Sequence, residues 1–157
     1  MRRVILFFAV ILAGTRLIYA GNNENFFNIS AGYMFPRACS ATLAFEHEYL
    51  YQHGIEFFAQ YVNDYNSSKF NAYHQMTGGV AYKYPLVRSK NSMFRLRGGI
   101  ECGSDWNNFI YGAELGIEYV FCVSNRLQVI IQQENEYNFG ASRKFHSGIN
   151  VGLRIPL

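Results

Sequence analysis

Apolar and polar residues alternate along most of the chain with a period of two, which places successive side chains on opposite faces of a β-strand. Residues 109–121 show the pattern plainly, because Leu115 and Ile117 fall in one set and Glu114 and Glu118 in the other. Similar alternation predicts eight strands in all. The predicted strands are residues 26–35, 39–51, 55–65, 72–84, 93–102, 109–121, 127–137 and 145–157.

The length and number of these segments favour a membrane-spanning barrel. They run for 10–13 residues, whereas strands of soluble proteins usually have about five or six residues. Tilted strands of about 9–11 residues cross a bilayer, and an even strand number brings both termini to one side of the membrane. We therefore predict an all-β fold, an eight-stranded antiparallel up-and-down transmembrane β-barrel with a polar, side-chain-filled interior. A soluble β-sandwich is the alternative.

The connections between the predicted strands are short and rich in Asn, Ser and Gly, the residues that favour turns. Alternate connections would lie on opposite sides of the membrane. The periplasmic turns would be 52–54, 85–92 and 123–126, and the outward ones 36–37, 66–71, 103–108 and 138–144. Such short outward connections would give the barrel little extracellular surface.

If the apolar face meets lipid, the polar face fills the barrel. A barrel of eight strands is just wide enough inside to be filled by side chains. Buried charges must be paired or hydrogen-bonded, so we predict an interior charge network in which acids outnumber bases. Its predicted members are Glu46, Glu48, Glu56, Lys83, Arg95, Arg97, Glu101, Glu114, Glu118, Glu134, Glu136 and Arg154.

The clustered carboxylates also allow a catalytic interpretation, which the spacing disfavours. Glu114 and Glu118 would be separated by about 13 Å along one strand, too far for a close acid–base pair. His146 and Ser147 together with a glutamate could indicate a hydrolase of the kind that modifies lipid A, but adjacent strand residues point to opposite faces. We therefore predict that the chain is not an enzyme and assign no catalytic residues.

The first 20 residues have the features of an export signal. Arg2 and Arg3 precede an apolar stretch at 4–14, and cleavage would follow Ala20. The stretch is short for a membrane span, and a retained N-terminal anchor is the alternative. We predict a signal peptide at 1–20, a barrel domain at 21–157 and a location in the outer membrane.

Composition adds two further expectations. Half of the residues are hydrophobic, and 12 Tyr and 14 Phe fit strands that contact a membrane interface. The signal would remove three arginines, so the 14 basic residues fall to 11 and equal the 11 acidic ones. A neutral mature chain gives no reason to expect nucleic-acid binding.

Three cysteines, Cys39, Cys102 and Cys122, exclude a fully paired disulfide framework. We interpret them as small apolar side chains on strands. No Cys/His spacing typical of a metal site is present. We therefore expect no metal, no cofactor and no small-molecule substrate.

The last strand carries a pattern of its own. A polar residue, a glycine and two alternating apolar residues, namely Asn150, Gly152, Ile155 and Leu157, resemble the C-terminal signal that the barrel assembly machinery recognises. The usual terminal Phe is absent, and Pro156 is tolerable because it falls at a strand end. We predict that these residues form an assembly signal and that the assembly machinery and outer-membrane lipid are partners.

Several glycine and aromatic motifs in the last third of the chain resemble the TraO family of conjugative-transposon transfer proteins from Bacteroidetes. The motifs lie at 109–113, 118–119, 125–126, 129–131, 139–142 and 146–154, with weaker similarity at 78–82 and 97–99. The resemblance implies an outer-membrane component of a conjugal DNA-transfer apparatus that contacts other proteins of that apparatus. It brings no catalytic residues. The alternative functions are a general barrel for adhesion, surface protection or envelope integrity, and a lipid-modifying enzyme.

Overall fold

The computed structural model describes residues 24–49, 52–64, 74–124, 126–141 and 143–157. The predicted signal peptide and the predicted turn at 66–71 lie outside these ranges. The described strands are β1 (Glu24–Phe35), β2 (Ala38–Tyr49), β3 (His53–Asp64), β4 (His74–Arg88), β5 (Ser92–Ser104), β6 (Phe109–Ser124), β7 (Leu127–Phe139) and β8 (Phe145–Pro156). Within the described residues, no helix is long and apolar enough to cross a membrane.

The eight strands form one closed barrel in which each strand pairs with its neighbours in the sequence. All pairs are antiparallel, and β1 pairs with β8 to close the sheet, with Asn28 opposite Arg154. Closure leaves no unpaired edge among the described strands. The predicted fold class is therefore confirmed. We call the end where β1 begins and β8 ends the base of the barrel, and the opposite end the top.

The strand ends differ from the predicted ones mainly in β4. We predicted a turn from Pro85 onward, but β4 continues through Pro85 to Arg88. Its register shifts between Pro85 and Val87. A bulge of this kind accommodates a residue that has no backbone N–H to donate to the ladder. The turn is thereby reduced to 89–91, where Ser89 N–H donates to the carbonyl of Ser92 at 2.8 Å.

Alternation along each strand separates an apolar outer surface from a polar interior. On β6, Leu115 is 58% exposed, whereas Glu118 on the other face is fully buried. The same division holds on β8, where Val151 faces outward and Asn150 and Arg154 face inward. The molecule thus exposes aliphatic and aromatic side chains and buries charged ones, the reverse of a soluble protein.

Several apolar side chains interrupt the polar interior, and the alternation did not single them out. Met34, Ala38 and Val62 form a small cluster near the top. A second cluster lies near the base, and a third surrounds the inward-pointing ring of Phe58. These clusters fill space above, below and between the charged groups. The members of the second cluster are Met93, Val120 and Ile130.

Candidate functional site in the barrel interior

Lys83 is the centre of a charge network near the base of the barrel. Its ammonium group lies 2.9 Å from Glu46, 2.6 Å from Glu56 and 2.7 Å from Glu118. All four side chains are essentially inaccessible to solvent. Glu46 and Glu56 project from β2 and β3 and Glu118 from β6, so the ammonium group links strands on different sides of the interior.

Two arginines complete this basal charge network. Arg95 donates to Glu46 Oε1 at 2.6 Å and also contacts Glu118 through two guanidinium nitrogens. Arg154 donates to Glu46 Oε1 at 2.9 Å and pairs with Glu48. Here the charged groups have the paired, hydrogen-bonded partners that burial requires. The network consists of Glu46, Glu48, Glu56, Lys83, Arg95, Glu118 and Arg154.

Arg97 connects the basal charge network to a second group of carboxylates above it. Its Nε donates to Glu56 Oε1 at 2.9 Å. Its Nη1 lies 2.7 Å from Glu114 Oε2 and 3.9 Å from Glu134 Oε2. The guanidinium carbon also lies 4.9 Å from the centre of the Phe58 ring, a distance suited to a cation–π contact.

The upper carboxylate group consists of Glu101, Glu114, Glu134 and Glu136, all at most 4% exposed. One carboxylate oxygen from each of Glu114, Glu134 and Glu136 lies within 4.8 Å of the other two. Glu134 accepts hydrogen bonds from Gln60 at 3.0 Å and from Asn150 at 2.5 Å. Among the described residues, no side chain meets hydrogen-bond distance and angle at either carboxylate oxygen of Glu101 or Glu136, although Thr77 and Asn138 lie near Glu101 and Gln60 lies near Glu136.

Inward-facing glycines provide the room that the large charged side chains occupy. Gly99 lies opposite Glu114 in the ladder between β5 and β6. A Cβ atom at Gly99 would lie 2.6 Å from Glu114 Oε1 and 2.7 Å from the carbonyl oxygen of Val80. Because one of these contacts is with backbone, a larger residue would require the sheet to move. Small and large inward residues therefore alternate between neighbouring strands.

All twelve residues that the sequence assigned to the interior network thus lie inside the barrel, but they do not form one evenly balanced cluster. Three of the four predicted basic residues, Lys83, Arg95 and Arg154, lie in the basal charge network. The upper carboxylate group has four acids and shares only Arg97 among the described lysine and arginine residues, with the buried His146 opposite Glu136 in the ladder. Sequence reasoning indicated the excess of acid but gave no information on where along the barrel axis it would fall.

The structure separates the residues that suggested a hydrolase. His146 is buried in the interior. The Ser147 hydroxyl belongs to the outer face, where it donates to Asn135 Oδ1 at 2.8 Å. A serine nucleophile and its base must be within hydrogen-bond reach of one another. These two side chains, on opposite sides of the barrel wall, do not form such a pair.

Exposed aromatic side chains form two belts on the outer surface, with aliphatic residues between them. The top belt contains Tyr33, Phe35, Tyr61, Trp106, Phe109, Tyr111, Tyr137, Phe139 and Phe145, and the basal belt contains Tyr82, Tyr84, Tyr119 and Phe121. Each belt includes a histidine hydrogen-bonded to a tyrosine hydroxyl. His74 lies 2.8 Å from Tyr61 in the top belt, and His53 lies 2.7 Å from Tyr82 in the basal belt.

The four residues of the predicted assembly signal lie on β8 and just beyond it. Asn150 is buried, where it accepts a hydrogen bond from Ser40 at 2.6 Å. Gly152 is also buried, opposite Ser30 of β1. Ile155 faces outward, and Leu157 is exposed after the strand, with its N–H donating to the carbonyl of Asn25 at 2.9 Å. The three cysteines are free thiols.

Comparison with known proteins identifies the fold. The chain is similar to the crystal structure of a major outer membrane protein from Thermus thermophilus, with a TM-score of 0.70 at 9% identity over 87% of this chain and 100% of that one. Neisserial surface protein A gives a TM-score of 0.61 at 11% identity, covering 85% of this chain and 94% of that one. No family model and no curated protein matches the sequence.

A designed protein shares the same architecture. A structure from a de novo design of transmembrane β-barrels gives a TM-score of 0.58 at 13% identity, covering 85% of this chain and 95% of that one. At these identities the similarity establishes the closed eight-stranded barrel and nothing finer. Because a designed sequence adopts this fold, the fold alone specifies no biological function.

Proposed function

We propose that this protein is a closed structural β-barrel of the outer membrane. The observation that carries the proposal is the inverted polarity of the molecule, an apolar outer surface around a buried charge network. Exposed apolar side chains on this scale are unfavourable in water but favourable against lipid. Closure also satisfies the backbone hydrogen bonds of every strand, which the hydrocarbon core of a bilayer requires.

The spacing of the aromatic belts supports this location. On β6, Tyr111 of the top belt and Tyr119 of the basal belt are eight residues apart. Eight residues span about 27 Å along a strand, or about 21 Å along the barrel axis at a tilt of about 40°. The apolar band of outer-membrane barrels is about 25 Å tall and is flanked by aromatic residues. The belts would therefore lie at the two membrane interfaces.

The filled interior favours a structural role over transport. The basal charge network and the apolar clusters occupy the lumen, so no open water path is expected along the axis. Of the top connections, 36–37 and 105–108 are described in full and are short, which offers little surface for adhesion there. The connection at 65–73 lies outside the described residues. Contacts within the membrane, with lipid or with neighbouring proteins, are then the means by which the barrel would act in envelope integrity.

Export and insertion would use the two ends of the chain. Residues 1–20 would direct secretion and be removed. The residues Asn150, Gly152, Ile155 and Leu157 would be recognised by the barrel assembly machinery. Asn150 and Gly152 also contribute to the packed interior, so Ile155 and Leu157 are the positions whose substitution would test recognition without disturbing the charge network.

A role in conjugal DNA transfer is the second candidate, and the motifs within residues 109–154 favour it. Most of them lie on β6, β7 and β8, and they resemble the TraO family. In this role the barrel would be an outer-membrane part of the transfer apparatus and would contact its protein components. We propose no direct contact with nucleic acid, because the chain would be neutral after the predicted removal of residues 1–20.

Two experiments test these proposals separately. Fractionation of cells should place the protein in the outer membrane, and the folded protein should migrate faster than the boiled protein on a denaturing gel. Recovery in the soluble fraction without this mobility difference would contradict the barrel proposal. Deletion of the gene should lower conjugation frequency if the second candidate is correct. Unchanged conjugation would reject that role, and altered lipid A in the same strain would favour a lipid-modifying enzyme.

A further inference from the structure

The charges inside the barrel are unevenly distributed along its axis. In the basal charge network, Glu46, Glu48, Glu56 and Glu118 lie among three bases, and Arg97 also pairs with Glu56. The four acids of the upper carboxylate group have only that same Arg97 among the described interior lysine and arginine residues. The buried His146, opposite Glu136 in the ladder between β7 and β8, is a further interior base beside this group. Ionised carboxylates that are buried without compensation are costly, so this group must take up either a cation or protons.

The geometry of the upper carboxylate group suits a bound cation. Glu114, Glu134 and Glu136 each direct one oxygen to a common point, with the three oxygens within 4.8 Å of one another. Glu114 and Glu136 are directly paired across β6 and β7, and Glu134 precedes Glu136 by two residues on the same face of β7. The sheet thus fixes the three ligands by backbone register rather than by flexible loops.

The hydrogen bonding of Glu136 points to a missing ligand independently of the clustering. Glu136 is 0% exposed, and among the described side chains none meets hydrogen-bond distance and angle at either of its carboxylate oxygens, although the Gln60 amide lies close by. Glu101, at 4% exposure, likewise makes no hydrogen bond of good geometry, although Thr77 and Asn138 lie near it. Its charge acts on Glu114, Glu134 and Glu136. Buried polar groups without partners are rare and indicate a ligand or ion that satisfies them.

We propose that the upper carboxylate group binds one divalent cation of the calcium or magnesium type inside the barrel. The donors are carboxylate oxygens, which hard cations prefer, and the set contains no thiolate. A charge of +2 together with Arg97 offsets three of the four negative charges. Calcium suits the site better than magnesium because it accepts irregular ligand geometry and more oxygen ligands.

The test uses the full-length mature protein refolded in detergent, freed of metal with a chelator and titrated with CaCl₂ at pH 7. Calorimetry should give one bound Ca²⁺ per chain. The midpoint of thermal unfolding should rise by roughly 5–10 °C when calcium exceeds its dissociation constant about a hundredfold. Parallel titration with MgCl₂ should show weaker binding.

The decisive variant is Glu136→Gln, which keeps the shape of the side chain and removes the charge. It should weaken calcium binding about tenfold or more and abolish the thermal shift. It should also unfold at a higher temperature than the wild type when both are metal-free, because it removes a buried unpaired charge. If Glu136 had only a structural role, the metal-free variant would unfold at a lower temperature than the metal-free wild type. If this variant does not fold, Glu101→Gln should show the same pair of effects.

Glu24→Gln provides the matched control, because Glu24 is an exposed carboxylate at the base. It should bind calcium like the wild type. Absence of calcium binding by the wild type would overturn the proposal and indicate that the carboxylates share protons instead. Binding that persists unchanged in both Glu136→Gln and Glu101→Gln would also overturn it, because the ion would then be held by surface acids.

Discussion

Replacement of Lys83 by methionine is the most direct test of the basal charge network. Methionine preserves much of the length and apolar character of the lysine stem but removes the ammonium group. That group lies 2.9 Å from Glu46, 2.6 Å from Glu56 and 2.7 Å from Glu118. Lys83→Met therefore leaves three buried carboxylates with fewer positive partners.

The expected loss follows from opposing contributions. At an effective dielectric constant of about 20, each of the three contacts contributes roughly 6 kcal/mol of attraction. The desolvation of the ammonium group and the repulsion among the carboxylates offset most of that sum, and breaking a buried ion pair costs about 3–5 kcal/mol in practice. Protonation of one carboxylate limits the loss, since a free glutamic acid costs about 3.7 kcal/mol to protonate at pH 7. We expect Lys83→Met to lower the free energy of unfolding by about 3–4 kcal/mol.

The assay is urea unfolding of the protein refolded in lipid vesicles, followed by the gel mobility of the folded and unfolded forms. Lys90→Met is the matched control, because Lys90 is exposed in the turn between β4 and β5 and should change stability by less than about 0.5 kcal/mol. A Lys83→Met protein as stable as the control would refute the reasoning. It would mean that the three carboxylates are not ionised in the folded barrel.

Three further predictions concern packing, membrane contact and permeability. Gly99→Ala should lower the free energy of unfolding by about 1–3 kcal/mol, because the added Cβ meets the backbone of β4. Gly98→Ala should be nearly neutral, because its added Cβ would lie 3.6 Å from the Leu115 side chain. Equal stabilities of the two variants in urea would contradict this packing. In lipid, Leu115→Arg should lower the free energy of unfolding by about 2–4 kcal/mol, and Val123→Arg, near the base of the barrel, by about 0–1 kcal/mol. A soluble barrel would show no such difference between the two variants. In planar bilayers the wild-type protein should give no steady ion current, and regular conductance steps would show that the interior is open.

Much of the interior could be assigned from the sequence because the period of a strand is two. Once Arg95 and Arg97 are placed on one face of β5, every second residue of that strand must share it. The inward positions of Glu101, Glu114 and Glu118 follow in the same way. The apolar residues Phe26 and Phe58 also face inward, as their spacing of two from Asn28 and Glu56 requires, although their residue type alone is typical of the lipid-facing surface.

The partners of each charge could not be obtained in this way. Lys83 and Glu118 are 35 positions apart, and Arg154 and Glu46 are 108 apart. Whether such side chains meet depends on strand tilt, on the register of all eight ladders and on which strand faces which across the lumen. For the same reason the sequence did not indicate that Glu114, Glu134 and Glu136 converge.

By itself the sequence determined the number of strands, the two faces of each and the excess of acid on the polar face, because these depend on local periodicity and composition. Closure of the sheet decided the rest. It brought β8 against β1. It also placed three of the four interior lysine and arginine side chains near the base of the barrel and left four carboxylates together above them. That separation of charge along the axis arises from ladder register, a property that exists only when all eight strands are assembled.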